Sequence, residues 1–304
     1  MIIRSFKKWL PIFAVVFLLA ACQENEQVVE EGYTVVDDMG EEISFDEVPE
    51  TVISLAPSNT EILFELGVGE KVIGVTTSDN YPEEVLEIDH VSDSITIDAE
   101  AIIALEPDVV FAYTVGAKES IEPLLNAGIT VFVIESASTF EDVYGDIMQI
   151  AEVMGVKETG EELVADIQAQ VQDVVDKTEE LEEKRQVYFE ISAAPDIFTV
   201  GNHTFQEVMI KNAGLDNVFA DEDGWIPATE EEVIVRNPNL IVTTVNYIEE
   251  PLEEIMNRAG WSDIEAIKNE EVFLLDADIL SRPGPRIGEA VELLAEVAYP
   301  ELFQ

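Results

Sequence analysis

The sequence predicts an α/β fold in which two related lobes are joined by one long rigid helix. Three patterns carry this prediction. Between Thr51 and Ile134, short apolar runs alternate with helical stretches, as they do around a largely parallel sheet. The tract from Thr139 to Lys184 then shows only helical spacing. After it the first pattern restarts: Asp98–Ala112 resembles Thr229–Thr243 at an offset of 131 residues. Each copy has a capping residue, a helix of about two turns, Pro-Asp or Pro-Asn, and a hydrophobic strand.

The elements follow in order. Arg4, Lys7 and Lys8 precede an apolar run from Trp9 to Ala21. That run is well short of the roughly 20 residues of a membrane span, and small residues stand before Cys22. Residues 1–21 therefore read as a secretory signal. Residues 22–32 are polar and acidic, a flexible spacer. Residues 33–50 read as a small hairpin turning at Met39-Gly40. Residues 51–138 form the first α/β lobe, and residues 139–185 a helical region in which Gly155 and Gly160 are expected to be breaks. Its second part, Glu161–Arg185, has no glycine or proline and places Leu163, Ile167, Val171, Val174 and Leu181 at helical spacing, the pattern of a stiff strut. Residues 186–304 form the second lobe. Ser58-Asn59-Thr60 and Asn202-His203-Thr204 are expected to be equivalent helix starts.

Composition narrows the function. The chain has 65 acidic and 15 basic residues, a net charge of −50. Such a charge argues against nucleic acid as a partner and against an electrostatic hold on anionic lipid. Surface carboxylates that keep the protein soluble in a salty or alkaline exterior account for it. With 47% hydrophobic residues the chain can build a core. Cys22 is the single cysteine, so no disulfide is expected within the chain.

Motifs for phosphate loops, dinucleotide binding and nucleophile elbows are missing from the sequence. His90 and His203 are the only histidines, fewer than a zinc or manganese site usually takes. No catalytic residue, metal or cofactor is expected. A hydrolase built on His203 is an alternative that no residue spacing supports, and His203 reads as a helix-start residue near a cleft. Glu100 and Glu231 hold the same place in the two repeats, two residues after the cap. Acids in a first helical turn offset the helix dipole, but a matched pair, one per lobe, also suits two arginines of a symmetric partner. Tyr81, Tyr113, Phe198, Trp225 and Tyr247 fall at or near expected strand ends, where open α/β sheets bind ligands. Trp225, in an acidic loop with glycine and proline, is the foremost of them. Arg282 suits either a polar or anionic ligand edge or a salt bridge to the acidic surface. Arg286, at a helix start, is expected to pair with a carboxylate inside the fold.

Several ordered motifs resemble one family. Leu18-Leu-Ala-Ala-Cys22 resembles the bacterial lipoprotein signal, whose cysteine is lipidated. Ile53-Ser-Leu-Ala-Pro-Ser-Asn-Thr-Glu-Ile-Leu-Phe-Glu-Leu-Gly67, Val72-Ile-Gly-Val-Thr76, Tyr81-Pro82, Leu105-Glu-Pro-Asp-Val-Val110 and Ser281-Arg-Pro-Gly-Pro-Arg-Ile287 look like the substrate-binding proteins of ABC transporters in the iron-siderophore and cobalamin class. The likeness covers about residues 51–303. It implies a class III periplasmic-binding-protein fold of two Rossmann-like lobes joined by one long rigid helix, a ligand between lobes that close little, and a lipid anchor at Cys22 on the outer face of the cell membrane. It also implies an ABC permease dimer with its ATPase as partner, docked through Glu100 and Glu231. A monomer is expected. Ser58, Asn59 and Tyr81 are candidate ligand contacts. Phe198, Trp225, Asp278 and Arg282 match positions that meet the corrinoid in the cobalamin-binding branch, the closest likeness. Ser78 and Ser94 stand where that branch offers a tyrosine and a tryptophan, so an iron-siderophore or haem stays open as the ligand beside cobalamin.

Overall fold

The computed structural model describes residues 32–93, 96–113 and 118–303. The expected signal, most of the spacer, Cys22 and Ser94 lie outside the described residues.

The first lobe begins with a hairpin of β1 (Tyr33–Val36) and β2 (Glu42–Phe45), closed through Gly40 at a φ of 78°. There follow β3 (Val52–Ser54), α1 (Pro57–Glu65), β4 (Val72–Thr76), β5 (His90–Ser92), α2 (Ala99–Leu105), β6 (Val109–Tyr113), α3 (Lys118–Asn126) and β7 (Val131–Ile134). The five strands form one parallel sheet in the order β5-β4-β3-β6-β7. Its strands are short and nearly all apolar, as expected of a sheet covered on both faces. The hairpin turn closes off the edge at β7: Asp38 N donates to Val133 O at 3.1 Å and Glu135 N donates to Asp38 Oδ2 at 2.7 Å. A bare edge strand invites pairing with other chains, and these contacts remove that risk.

Two helices lead to the second lobe, α4 (Phe140–Val153) and α5 (Lys157–Thr178). Thr139 caps α4 in a reciprocal capping box with Asp142. Gly155, at a φ of 68°, breaks the tract as expected. Gly160 does not. It lies inside α5, where a Cβ would come within 2.6 Å of Ala151 Cβ, so its role is close approach of the two helices. The strut also begins four residues earlier and ends sooner than Glu161–Arg185. At 22 residues, α5 is roughly 33 Å long.

The second lobe contains β8 (Gln186–Ser192), β9 (Phe198–Val200), α6 (Phe205–Asn212), β10 (Asp216–Asn217), β11 (Trp225–Pro227), α7 (Glu230–Arg236), β12 (Leu240–Thr243), α8 (Pro251–Met256), α9 (Glu265–Lys268), β13 (Val272–Leu274), α10 (Ala277–Ser281) and α11 (Ile287–Ala298). Its sheet runs β11-β9-β8-β12-β13, and β10 pairs with the first residues of β8. Strand β9 is antiparallel to both of its neighbours. Ile167, Val171 and Val174 of α5 and Ile287, Val291 and Leu294 of α11 belong to one apolar core that runs through both lobes.

The repeat is visible in detail. Asp98 caps α2 and Thr229 caps α7, and both helices end in a left-handed residue, Glu106 and Asn237. Asp108 then takes an N–H from Thr51 on its side chain and donates its own N–H to Thr51 O. Asn239 makes the same pair of bonds with Gln186. The other expected equivalence does not hold. Thr204 is the N-cap of α6, whereas Thr60 lies inside α1, whose N-cap is Ala56.

Candidate functional site

A cavity of about 370 Å³ opens at the carboxyl ends of β3, β4 and β6, where parallel sheets place their ligands. Leu55, Ser58, Thr76, Ser78 and Tyr113 line it from the first lobe, and Ser281, Arg282 and Pro283 line it from the end of α10. Most of its polar groups are hydroxyls. Asp93 is the one acid and Arg282 the one base among the described lining residues.

Arg282 is committed within the protein. Its Nη1 donates to Glu61 Oε1 at 2.9 Å, and its Nη2 donates to Ser78 O at 2.9 Å and pairs with Asp278 Oδ1 at 2.9 Å. Arg286 grips the same carboxylate, with Nε to Glu61 Oε2 at 2.8 Å and Nη2 to Glu61 Oε1 at 2.6 Å. Its guanidinium also lies over the Tyr81 ring, 4.2 Å from the centroid. Asn80 Nδ2 donates to Asp278 Oδ2 at 2.7 Å. These contacts tie residues 278–286 of the second lobe to α1 and the loop after β4. Gly284 lies against Ser58, where an added Cβ would meet backbone atoms at 3.6 Å.

The other expected contacts are spread along the cleft side of the fold. Ser58 faces the cavity, but the neighbouring Asn59 is 1% exposed and its Nδ2 finds no acceptor among the described residues. Tyr81 is partly exposed beside Arg286. Phe198 starts β9 opposite Ser192, at the carboxyl end of β8. Tyr247 joins it at that end, its hydroxyl accepting from Ala193 N at 3.0 Å. Trp225 lies on the edge strand level with Val200, two rungs from Phe198, and its Nε1 donates to Gln206 Oε1 at 3.1 Å. It is half exposed. Tyr113 donates its hydroxyl to Ser136 Oγ at 2.6 Å; burial, together with the charge of Asp146, pushes its pKa up, so it stays a phenol.

Glu100 and Glu231 each sit second in their helices, α2 and α7, with exposed side chains. His203 pairs with Asp223 at 2.9 Å, both largely exposed, and neither lines the cavity. Sequence reasoning passed over Glu61 and Asn80. The signal for Glu61 was present: a charged residue directly before the apolar run Ile62-Leu63-Phe64 of α1 needs a partner when buried.

The sequence matches the profile of the periplasmic binding protein family over residues 52–279. It is 37% identical over 276 residues to the uncharacterized ABC transporter substrate-binding lipoprotein YvrC of Bacillus subtilis, covering 89% of this chain and 87% of that one. It is 31% identical over 246 residues to the vitamin B12-binding protein of Vibrio cholerae, covering 80% of this chain and 87% of the relative. Among solved structures, that of a possible iron-binding, periplasmic solute-binding protein from Staphylococcus epidermidis superposes with a TM-score of 0.76 at 31% identity, covering 83% of this chain and all of the other. These relatives are binding proteins, not enzymes. The chain belongs to the periplasmic binding protein family: it has the class III fold and is the substrate-binding component of an ABC importer.

Proposed function

We propose that this protein captures a cobalamin-type corrinoid outside the cytoplasm and delivers it to a permease dimer driven by its ATPase. A lipid on Cys22 holds it at the membrane, and Glu100 and Glu231 meet the permease, one from each lobe. No helix among the described residues is long and apolar enough to cross a membrane. The tether raises the effective concentration of receptor at its partner.

The observation that carries the ligand assignment is the cavity wall: hydroxyls, one acid, and one arginine already matched by Glu61 and Asp278. Such a wall suits a neutral, amide-rich ligand, whose edges give and take hydrogen bonds, and among its described residues it offers an anionic iron chelate no uncompensated cation. The recess of about 370 Å³ admits one edge of so large a macrocycle. The test is calorimetry of the detergent-solubilised protein with cyanocobalamin, alongside tryptophan fluorescence. Saturable binding at micromolar concentration supports the reading. Silence at tens of micromolar, with binding of a ferric siderophore, moves the assignment to iron.

A further inference from the structure

The four charges where residues 278–286 meet the first lobe sum to zero. Arg282 and Arg286 contribute two positive charges, Glu61 and Asp278 two negative ones; Arg282 touches both acids at 2.9 Å, and Arg286 touches Glu61 at 2.6 Å. Glu61 is 1% exposed and bridges both guanidinium groups. The Arg282 side chain is 11% exposed and faces the cavity, which Asp93 also lines. A buried bidentate pair of this kind has little freedom to rearrange for a ligand.

From this geometry we infer that Glu61 and Asp278 are specificity-determining residues: by cancelling the charge of Arg282 they make the cleft accept neutral ligands and reject anionic ones. The inference rests on the receptor reading above and adds the residues that set the ligand's charge class. Neither carboxylate has to touch the ligand. Each acts by holding Arg282 and by removing its field from the cavity. Loss of either negative charge leaves this four-residue cluster with a net charge of +1 at the edge of the cavity, where burial limits its screening.

The experiment compares wild type, Asp278→Asn and Glu61→Gln, each as the detergent-solubilised protein, with two ligand pairs that differ in charge. One pair is cyanocobalamin and its monocarboxylic acid, made by hydrolysing one peripheral amide. The other is a neutral ferric trihydroxamate and ferric citrate. Wild type should prefer the neutral member, and each variant should shift the affinity ratio about tenfold toward the anion. Asp278 is partly exposed, so Asp278→Asn keeps the test alive if Glu61→Gln folds poorly. An unchanged ratio in a folded variant, or a wild type that prefers the anion, overturns the inference. Should only the trihydroxamate pair bind and show the shift, the corrinoid assignment falls and the charge rule stands. Binding of neither pair overturns both.

Discussion

Glu190 and Arg258 form a bidentate ion pair that is sealed inside the second lobe. Arg258 Nη2 donates to Glu190 Oε1 at 2.8 Å and Nη1 to Glu190 Oε2, with side chains 1% and 3% exposed. Tyr188 adds a hydroxyl to the carboxylate at 3.1 Å, and Glu254 holds the other side of the guanidinium. Burial pushes the Glu190 carboxyl up and Arg258 pulls it back. Removing one partner strands a charge, which typically costs about 3–5 kcal/mol. Arg258→Met should therefore lower unfolding stability by that amount in urea titrations. The double variant with Glu190→Gln should recover most of it, because it leaves no buried charge. Equal losses in the single and double variants would refute this account.

Asp146 makes stability depend on pH in the opposite sense from a salt-bridged acid. It is 7% exposed and lies on α4, and burial, then the charges of Asp38 and Asp142, raise its pKa from 3.8 to about 8. Between these values the unfolded chain has released the proton and the folded chain keeps it. The native state then binds more protons, so its stability falls as pH rises from 4 to 8, by up to about 1.4 kcal/mol per pH unit. Asp146→Asn should gain on wild type steadily across that window and run parallel to it above pH 9. Urea midpoints at pH 5 and pH 8.5 check this, and a constant difference between the two proteins would count against it.

The fold was legible because its signals are local. Alternating apolar runs and caps such as Asp98 and Thr229 mark the elements, and the duplicated Pro-Asp and Pro-Asn segments mark the lobes. Gly160 was misread because propensity disfavours glycine in a helix, while packing against Ala151 demands it. The paired threonines failed for a similar reason: hydroxyl position in sequence does not fix helix register, and α1 starts at Pro57 without a side-chain cap. The contacts between lobes were the least legible part of the site. Glu61 meets Arg282 and Arg286 across more than two hundred residues, and no spacing rule spans that separation. Arg286 was expected to find an internal carboxylate because a cation at a helix start is unfavourable; which carboxylate it finds depends on how the lobes dock.

Glu100 and Glu231 lead to a prediction that separates transport from binding. Both are exposed, at equivalent places in duplicated helices, and neither lines the cavity. Replacing either with alanine should weaken the complex with permease about tenfold, as loss of one charge-assisted contact does. The double variant should abolish uptake of labelled ligand in cells while calorimetric ligand affinity stays at the wild-type value. Charge reversal to arginine should be worse than alanine. Normal uptake by the double variant would show that the permease meets another surface.

The acidity of the chain leads to a prediction about salt. With 65 acidic and 15 basic residues, most surface carboxylates have no cation to pair with, and many of the available cations are spent on specific contacts such as Arg258 with Glu190 and Arg236 with Asp221. Net charge of this size destabilises a compact state by self-repulsion. The screening length falls from about 10 Å at 0.1 M salt to about 3 Å at 1 M, which removes most of that repulsion on the surface. The buried pairs should be little affected, because they are screened far less. Raising sodium chloride from 0.1 to 1 M should therefore lift the thermal midpoint by several degrees, equivalent to about 2 kcal/mol for a body of this size. Choline chloride should do the same, since bulk screening does not depend on the identity of the cation. A rise seen with sodium and not with choline would point to site-bound sodium instead, and a fall with both would show that attractive surface pairs outweigh the repulsion.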